Sequence, residues 1–262
     1  MTSASRIEWT ERTWNPTTGC TKISAGCTHC YAEVMARRLH AIGTSGYEAG
    51  FNLALHEGRL TQPLLRRAPT VYFVNSMSDL FHKDVPDSFL DLVFNVIRAT
   101  PQHTYQILTK RARRLPKYFA RRECPENAWL GVSVENKRSG VPRIAELVKV
   151  DAQVRFLSIE PLLEDVGAID LSGIHWVIVG GESGHQARRM RPQWVRNVKQ
   201  QCDAARVAFF FKQWGRFGSD GVARSKGANG RQLRGRTWDA YPKQSATATR
   251  RMTSPELSAV AL

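Results

Sequence analysis

The sequence contains no apolar run approaching the eighteen or more residues that a membrane-spanning helix requires, so a membrane is not an expected partner. Its opening stretch, MTSASRIEWTERTW, lacks the apolar core of a secretion signal, and the expected location is the cytoplasm. Acidic residues are scarce: 23 Asp and Glu face 38 Lys and Arg in 262 residues, a formal charge of +15. Such an excess concentrates anions near the surface and favours phosphate contact, which makes nucleic acid, DNA first, the expected partner class. A protein can also be basic for no specific reason; the clustering of the basic residues is what favours the polyanion. Cysteine is scarce as well, with five in the chain. In a reducing compartment a disulfide framework is excluded, and clustered cysteines read as metal-binding or catalytic.

What is present is a regular alternation. TVYFVNS (70–76), TYQILTK (104–110), NAWLGVSVEN (127–136), VRFLSIEPL (154–162), HWVIVGGESG (175–184) and VAFFFKQWG (207–215) read as buried strands. Between them PDSFLDLVFNVIRAT (86–100), RARRLPKYFARR (111–122), VPRIAELVKV (141–150) and RPQWVRNVKQQCDAAR (191–206) have helical period. Strand then helix, repeated, predicts an α/β protein with a parallel sheet, either curled into a partial or full TIM-like barrel or left open and doubly wound.

Nearly every predicted strand ends in polar or small residues: Asn75, Ser76, Ser78 and Asp79; Lys110 and Arg111; Ser133 and Glu135; Glu160; Gly180, Gly181 and Glu182; Lys212, Gln213 and Trp214. A barrel assembles its site at the C-terminal rim from several strands, and this pattern favours the barrel. The barrel domain is expected over 1–218, with a basic extension packed on it over 219–242. A disordered tail is expected over 243–262, where apolar periodicity is lost.

Three of the five cysteines fall in GCTKISAGCTHCYAE (19–33), spaced C-x6-C-x2-C as Cys20, Cys27 and Cys30. Two readings stand. A structural zinc ion would need a fourth ligand that the neighbourhood does not obviously supply. A four-iron cluster held by three cysteines leaves one iron open, and catalytic metal sites generally keep an open position. Tyr31, directly after the last cysteine, is placed to shield such a centre or simply to pack.

IEWTERTWNPTTGCTKISAGCTHCYAE, VNSMSDLFHKDVP, ILTKRARRL, WLGVSVEN, FLSIEPLL, WVIVGGESG and FFFKQWG, in that order over residues 6–238, resemble the phage- and prophage-associated three-Cys-motif family, which is itself similar to the radical S-adenosylmethionine superfamily. The usual superfamily spacing is C-x3-C-x2-C, so this chain differs in its first gap. The resemblance implies a barrel of the radical S-adenosylmethionine type with a [4Fe-4S] cluster on Cys20, Cys27 and Cys30. The open iron would bind S-adenosylmethionine, whose one-electron cleavage yields a 5′-deoxyadenosyl radical. It also implies an electron donor such as flavodoxin or ferredoxin, and suggests a dedicated protein partner.

By the same resemblance, Asn75, Ser76, Ser78 and Asp79 would contact the methionine amino group. Ser133, Glu135 and Glu160 are placed to accept bonds from ribose hydroxyls or ammonium. Gly180, Gly181 and Glu182 would let the backbone approach the adenine or methionine moiety, although GGESG is not a GxGxxG dinucleotide fingerprint. Any of these carboxylates could instead partner an arginine. Lys110 and Arg111, Arg188 and Arg189, and the strand end Lys212, Gln213 and Trp214 are the candidates for substrate contact and phosphate tracking. Trp194, Trp214 and Trp238 are candidates for stacking on an extruded base, or for ordinary core.

The leading expectation is a radical S-adenosylmethionine enzyme that modifies or repairs a nucleic acid base or nucleotide. One alternative is a non-catalytic, zinc- or cluster-stabilised DNA-binding protein acting with a phage or defence partner. Another is a radical enzyme acting on a protein or small metabolite.

Overall fold

The structure, a computed structural model, describes residues 3–5 and 7–243. Its strands are β1 (Ser3–Ala4), β2 (Arg12–Trp14), β3 (Thr17–Thr18), β4 (Ala54–Leu55), β5 (Val71–Val74), β6 (Thr104–Thr109), β7 (Ala128–Ser133), β8 (Val154–Ile159), β9 (Trp176–Gly180) and β10 (Ala208–Gln213). Its helices are α1 (Tyr31–Ala41), α2 (Asp87–Ala99), α3 (Arg114–Phe119), α4 (Pro142–Leu147), α5 (Pro192–Ala205) and α6 (Lys226–Asn229). The tail expected over 243–262 lies, apart from Lys243, outside the described residues.

The main sheet has the order β1-β2-β5-β6-β7-β8-β9-β10, in which β1 is antiparallel to β2 and the other seven strands run parallel. Each parallel step is a crossover; a helix lies in every one but β8 to β9, where residues 160–175 form none. The sheet curls into a half-barrel and does not close, since β2 and β10 stand at opposite ends of the parallel order. Of the expected alternatives the partial TIM-like barrel is therefore the one observed, and full closure is not. Chain segments cover both flanks. β1 lies outside β2, while along β10 the Phe211 N–H donates to the Trp238 carbonyl (2.8 Å) and the Ala240 N–H to that of Phe209 (3.3 Å).

Side chains alternate across a strand, so each one feeds two cores. On the convex face Tyr72, Val74, Leu130, Val132, Val177 and Phe211 join the buried stripe of α2, which is Phe89, Leu90, Val93, Phe94 and Ile97. On the concave face Phe73, Trp129, Phe156, Trp176, Ile178 and Phe210 pack around Trp9, with Trp9 and Phe73 edge-to-face at 4.7 Å. Burial on both faces explains why the predicted strands read as near-continuous apolar runs. Gly131 belongs to the inner layer, and a Cβ there would fall 2.4 Å from the Phe156 ring, so the missing side chain is the space that ring occupies. The aromatic layer plugs the lower half-barrel. Above it the inward positions turn polar.

Candidate active site

The strand ends and the cysteine loop line a half-open cavity of about 500 Å³. Its floor is the upper surface of the aromatic plug, formed by Trp9, Phe73 and Leu108. Cys20, Cys27 and Cys30 all border it. Cys20 follows β3, Cys27 closes a short 3-10 turn over Ala25–Cys27, and Cys30 caps α1. Among the described residues no three His, Cys, Asp or Glu side chains gather closely enough to hold a single metal ion; the three thiols stand around a shared space.

Three ion pairs, each rooted at a different strand end, hold the loop. Asp79, beyond β5, accepts from Thr109 Oγ1 (2.7 Å), the Lys110 N–H (3.1 Å) and Arg111 Nη1 (3.0 Å). Arg111 also donates from Nη1 to Cys20 Sγ (3.4 Å), and from Nη2 to the Thr21 carbonyl (3.0 Å) and hydroxyl (2.8 Å). Glu135, beyond β7 and fully buried, accepts from Arg143 Nη1 (2.6 Å) and from Ser24 Oγ. Glu182, beyond β9, takes two bonds from the Arg188 guanidinium (2.6 and 2.9 Å) and one from its backbone N–H (2.8 Å), with His29 Nδ1 at 3.5 Å. Arg188 then donates to the Ala25 carbonyl (2.9 Å).

Burial by itself would raise the carboxyls of Glu135 and Glu182. For Glu135 it is outweighed by the Lys110 and Arg143 cations and by the bonds from Ser24 and Arg143, and for Glu182 by Arg188 and His29, so both are held below the usual carboxylate range. Burial, then Asp79, pushes the Cys20 thiol up, with Arg111 opposing.

The remaining polar groups face the cavity more freely. Glu160 is bridged by Lys212 Nζ (2.8 and 3.0 Å) and by Gln213 Nε2 (3.3 Å). Lys110 Nζ donates to Ser133 Oγ (3.1 Å), and Ser133 is the register partner of Ser158 on the next strand. Among the described residues the cavity-lining cations Arg111, Lys212 and Lys226 each sit within ion-pair distance of a carboxylate, and Lys110 does not. Glu135 is shared between Lys110 and Arg143, so one positive charge stays uncompensated on this wall.

Sixteen of the twenty-three candidate residues border the cavity, and Glu135, Gly180, Arg188, Arg189, Trp194, Trp214 and Trp238 do not. Asn75 and Ser78 reach it while also tied to the Thr17 segment, through Asn75 Nδ2 to Thr17 Oγ1 (2.8 Å) and Ser78 Oγ to the Thr17 carbonyl (2.9 Å). Ser76 Oγ donates to Asn15 Oδ1 (3.2 Å), and the Ser76 carbonyl accepts from the Tyr31 hydroxyl. Gly181 lies where a Cβ would be 2.0 Å from the Trp214 carbonyl, so it seats β9 against β10. Gly180 faces the Glu160 carboxylate in the same way, at 3.1 Å.

Of its two readings, stacking platform or ordinary core, Trp214 takes the second. It is 3% exposed, edge-to-face on Phe211, with its indole N–H given to the Gln232 carbonyl (2.8 Å). Trp194 packs against the same core, and Trp238 carries Arg236 and Lys199 against its ring at 3.5 and 4.0 Å. Arg189 lies over Phe217 at 5.0 Å.

Sequence reasoning passed over Phe73, Leu108 and Ser158, although strand parity identifies them: each lies two residues before a candidate, Asn75, Lys110 and Glu160. Ile7, Trp9 and Lys226 also line the cavity but come from outside the repeating units. Lys226, on α6, pairs with Glu8 at 2.7 Å and so joins the C-terminal extension to the N-terminal segment.

An open parallel half-barrel whose C-terminal rim carries a clamped three-cysteine loop beside a half-open cavity is the class that this fold and site define. Residues 4–242 match the family model described as "Protein of unknown function (DUF5131)", and the chain belongs to that family. No curated protein matches the sequence. Among solved structures, the chain is similar to spore photoproduct lyase complexed with dinucleoside spore photoproduct, at 14% identity and a TM-score of 0.49, over 77% of this chain and 63% of that one. It is also similar to a mutant of that lyase with bound AdoMet and dinucleoside spore photoproduct, at 14% identity and a TM-score of 0.45, with the same coverage of 77% and 63%. The chain thus spans less than two thirds of the length of these lyase chains.

Proposed function

We propose that the protein is a radical S-adenosylmethionine enzyme holding a [4Fe-4S] cluster on Cys20, Cys27 and Cys30, with S-adenosylmethionine in the adjoining cavity and a nucleic acid base or nucleotide as substrate. The observation that carries this reading is that all three thiols border one half-open cavity at the C-terminal ends of parallel strands. The donor set fits: three soft ligands and no fourth cysteine, since Cys202 is buried in the convex core and Cys124 packs against it. When bound, the cluster and S-adenosylmethionine would supply, with one electron from a donor such as flavodoxin or ferredoxin, cleavage to methionine and a 5′-deoxyadenosyl radical able to abstract hydrogen.

The chain's own residues have separable tasks. The three ion pairs fix the loop. Lys110, with the Ser133 and Ser158 hydroxyls, receives the carboxylate of the bound methionine moiety, because among the described residues it is the cavity-lining cation that stands outside ion-pair distance of a carboxylate. Glu160, held by Lys212, accepts from ligand hydroxyl or ammonium groups. The aromatic floor keeps water from the reacting centre. The charge of +15 supports a polyanionic substrate.

The test is iron and sulfide content of anaerobically purified protein, with low-temperature EPR of the reduced form before and after S-adenosylmethionine is added. Close to four irons per chain, a spectrum that changes on addition, and loss of both in Cys27→Ala are the expected results. Zinc in place of iron, or a spectrum indifferent to S-adenosylmethionine, would favour a metal-stapled nucleic-acid-binding protein.

A further inference from the structure

The three ion pairs are not equivalent. Glu135–Arg143 and Glu182–Arg188 grip Ser24 and the Ala25 carbonyl, in the middle of the loop. Of the three arginines, among the described residues, Arg111 alone donates to a cysteine sulfur; Cys27 Sγ has the Ser24 hydroxyl at 3.8 Å. Its guanidinium is oriented from behind by Asp79 and spreads over two consecutive residues, Cys20 and Thr21. Arg111 and Asp79 are both nearly buried, their side chains 11% and 9% exposed, so the bonds form where charge is poorly screened. His82, itself 1% exposed, adds a bond between Nε2 and Thr21 Oγ1 (2.8 Å). Cys20 stands at the far end of the six-residue gap and lies in no helix or strand of its own. Its backbone is held, the Cys20 N–H donating to the Phe51 carbonyl (3.1 Å), so what Arg111 adds is a grip on the thiol itself.

We propose that Arg111 is a positioning residue for the first cysteine. It fixes Cys20 against Asp79 and, by placing an N–H donor and a buried positive charge on that sulfur, raises the reduction potential of the cluster bound there. This rests on the cluster reading above. Hydrogen bonds to ligand sulfur and net local charge set iron–sulfur potentials, and a cation favours the more negative, reduced state. Arginine suits the task because one planar fork can hold the sulfur, the carboxylate and the Thr21 oxygens together, which a lysine cannot.

The test has two arms. In the first, EPR-monitored redox titration compares wild type with Arg111→Gln and Arg111→Lys. The expected result is a midpoint shifted to more negative potential in Arg111→Gln and partly restored in Arg111→Lys, which keeps the charge and loses the fork. An unchanged midpoint in an iron-replete Arg111→Gln protein would overturn the proposal.

The second arm needs no cluster. Hydrogen exchange of metal-free protein should show faster exchange over residues 19–23 in Arg111→Gln, with residues 128–133 as protected as in wild type. Equal exchange over 19–23 would remove the positioning role. Iron-free wild type with normal loop protection would count against the cluster reading alone, while accelerated loop exchange in its Arg111→Gln variant would still support the clamp.

Discussion

Ser24 and Glu135, 111 residues apart in the chain, meet where the cysteine loop crosses the end of β7: the serine hydroxyl donates to a carboxylate that has no solvent exposure and whose other oxygen takes Arg143 at 2.6 Å. A rim carboxylate that the sequence offers either as a ligand contact or as an arginine's partner is here bonded to Arg143 and to the loop.

Removing one partner of a buried ion pair strands the other, so Glu135→Ala should cost about 3–5 kcal/mol in urea unfolding. Glu135→Gln keeps a hydrogen-bond acceptor and should cost less. The pH dependence follows from the lowered folded-state value. The carboxylate contributes its full stability above its unfolded pKa of about 4.3, and that contribution is lost as pH falls through the lower folded value. The acid limb of the stability profile should therefore be shallower in Glu135→Gln than in wild type; parallel limbs would contradict this account.

The five cysteines divide by environment. Burial pushes Cys124 and Cys202 up to about 12, which leaves almost no thiolate near neutral pH. Iodoacetamide at pH 8 on metal-free protein should modify Cys27 and Cys30 first, with Cys124 and Cys202 reacting only on unfolding. Peptide mass mapping over time gives the order, and early labelling of Cys202 would mean that the convex core opens.

All six apolar runs became strands, β5 to β10, because burial on both faces writes a strand as an uninterrupted run. Helices α2 to α5 followed from their apolar period. β2 was harder to read: its three residues are short and half polar, and only pairing with β5 makes it the seventh parallel strand. The cysteines were legible because their spacing is local. The division of labour among the rim carboxylates was not, because it depends on which arginine folds back onto which strand end. Arg143 lies eight residues after Glu135 and Arg188 six after Glu182, but Arg111 lies 32 after Asp79.

Gly131 tests the packing of the concave layer. A methyl group there would lie 2.4 Å from the Phe156 ring, which Trp9 and Trp176 hem in, so Gly131→Ala should cost about 1–3 kcal/mol through overpacking. The double variant with Phe156→Leu should recover part of that loss, measured as the coupling in a double-mutant cycle. Additive effects would mean that the clash is relieved elsewhere.

Lys110 separates ligand binding from loop integrity. It belongs to none of the three clamps, and its backbone N–H, which Asp79 accepts at 3.1 Å, survives any side-chain change. Its ammonium, bonded to Ser133 Oγ, carries the unneutralised charge of the cavity wall. A hydrogen bond to a charged group contributes about 1.5–3 kcal/mol, so Lys110→Ala should weaken S-adenosylmethionine binding roughly 10- to 100-fold in equilibrium dialysis. Iron content should stay at the wild-type level, and Lys110→Arg should recover part of the affinity. Glu135 would lose one of the cations that keep it ionised, so the acid limb should also move to higher pH. Unchanged affinity in Lys110→Ala would place the ligand carboxylate elsewhere, with Lys212 released from Glu160 as the next cation on the wall.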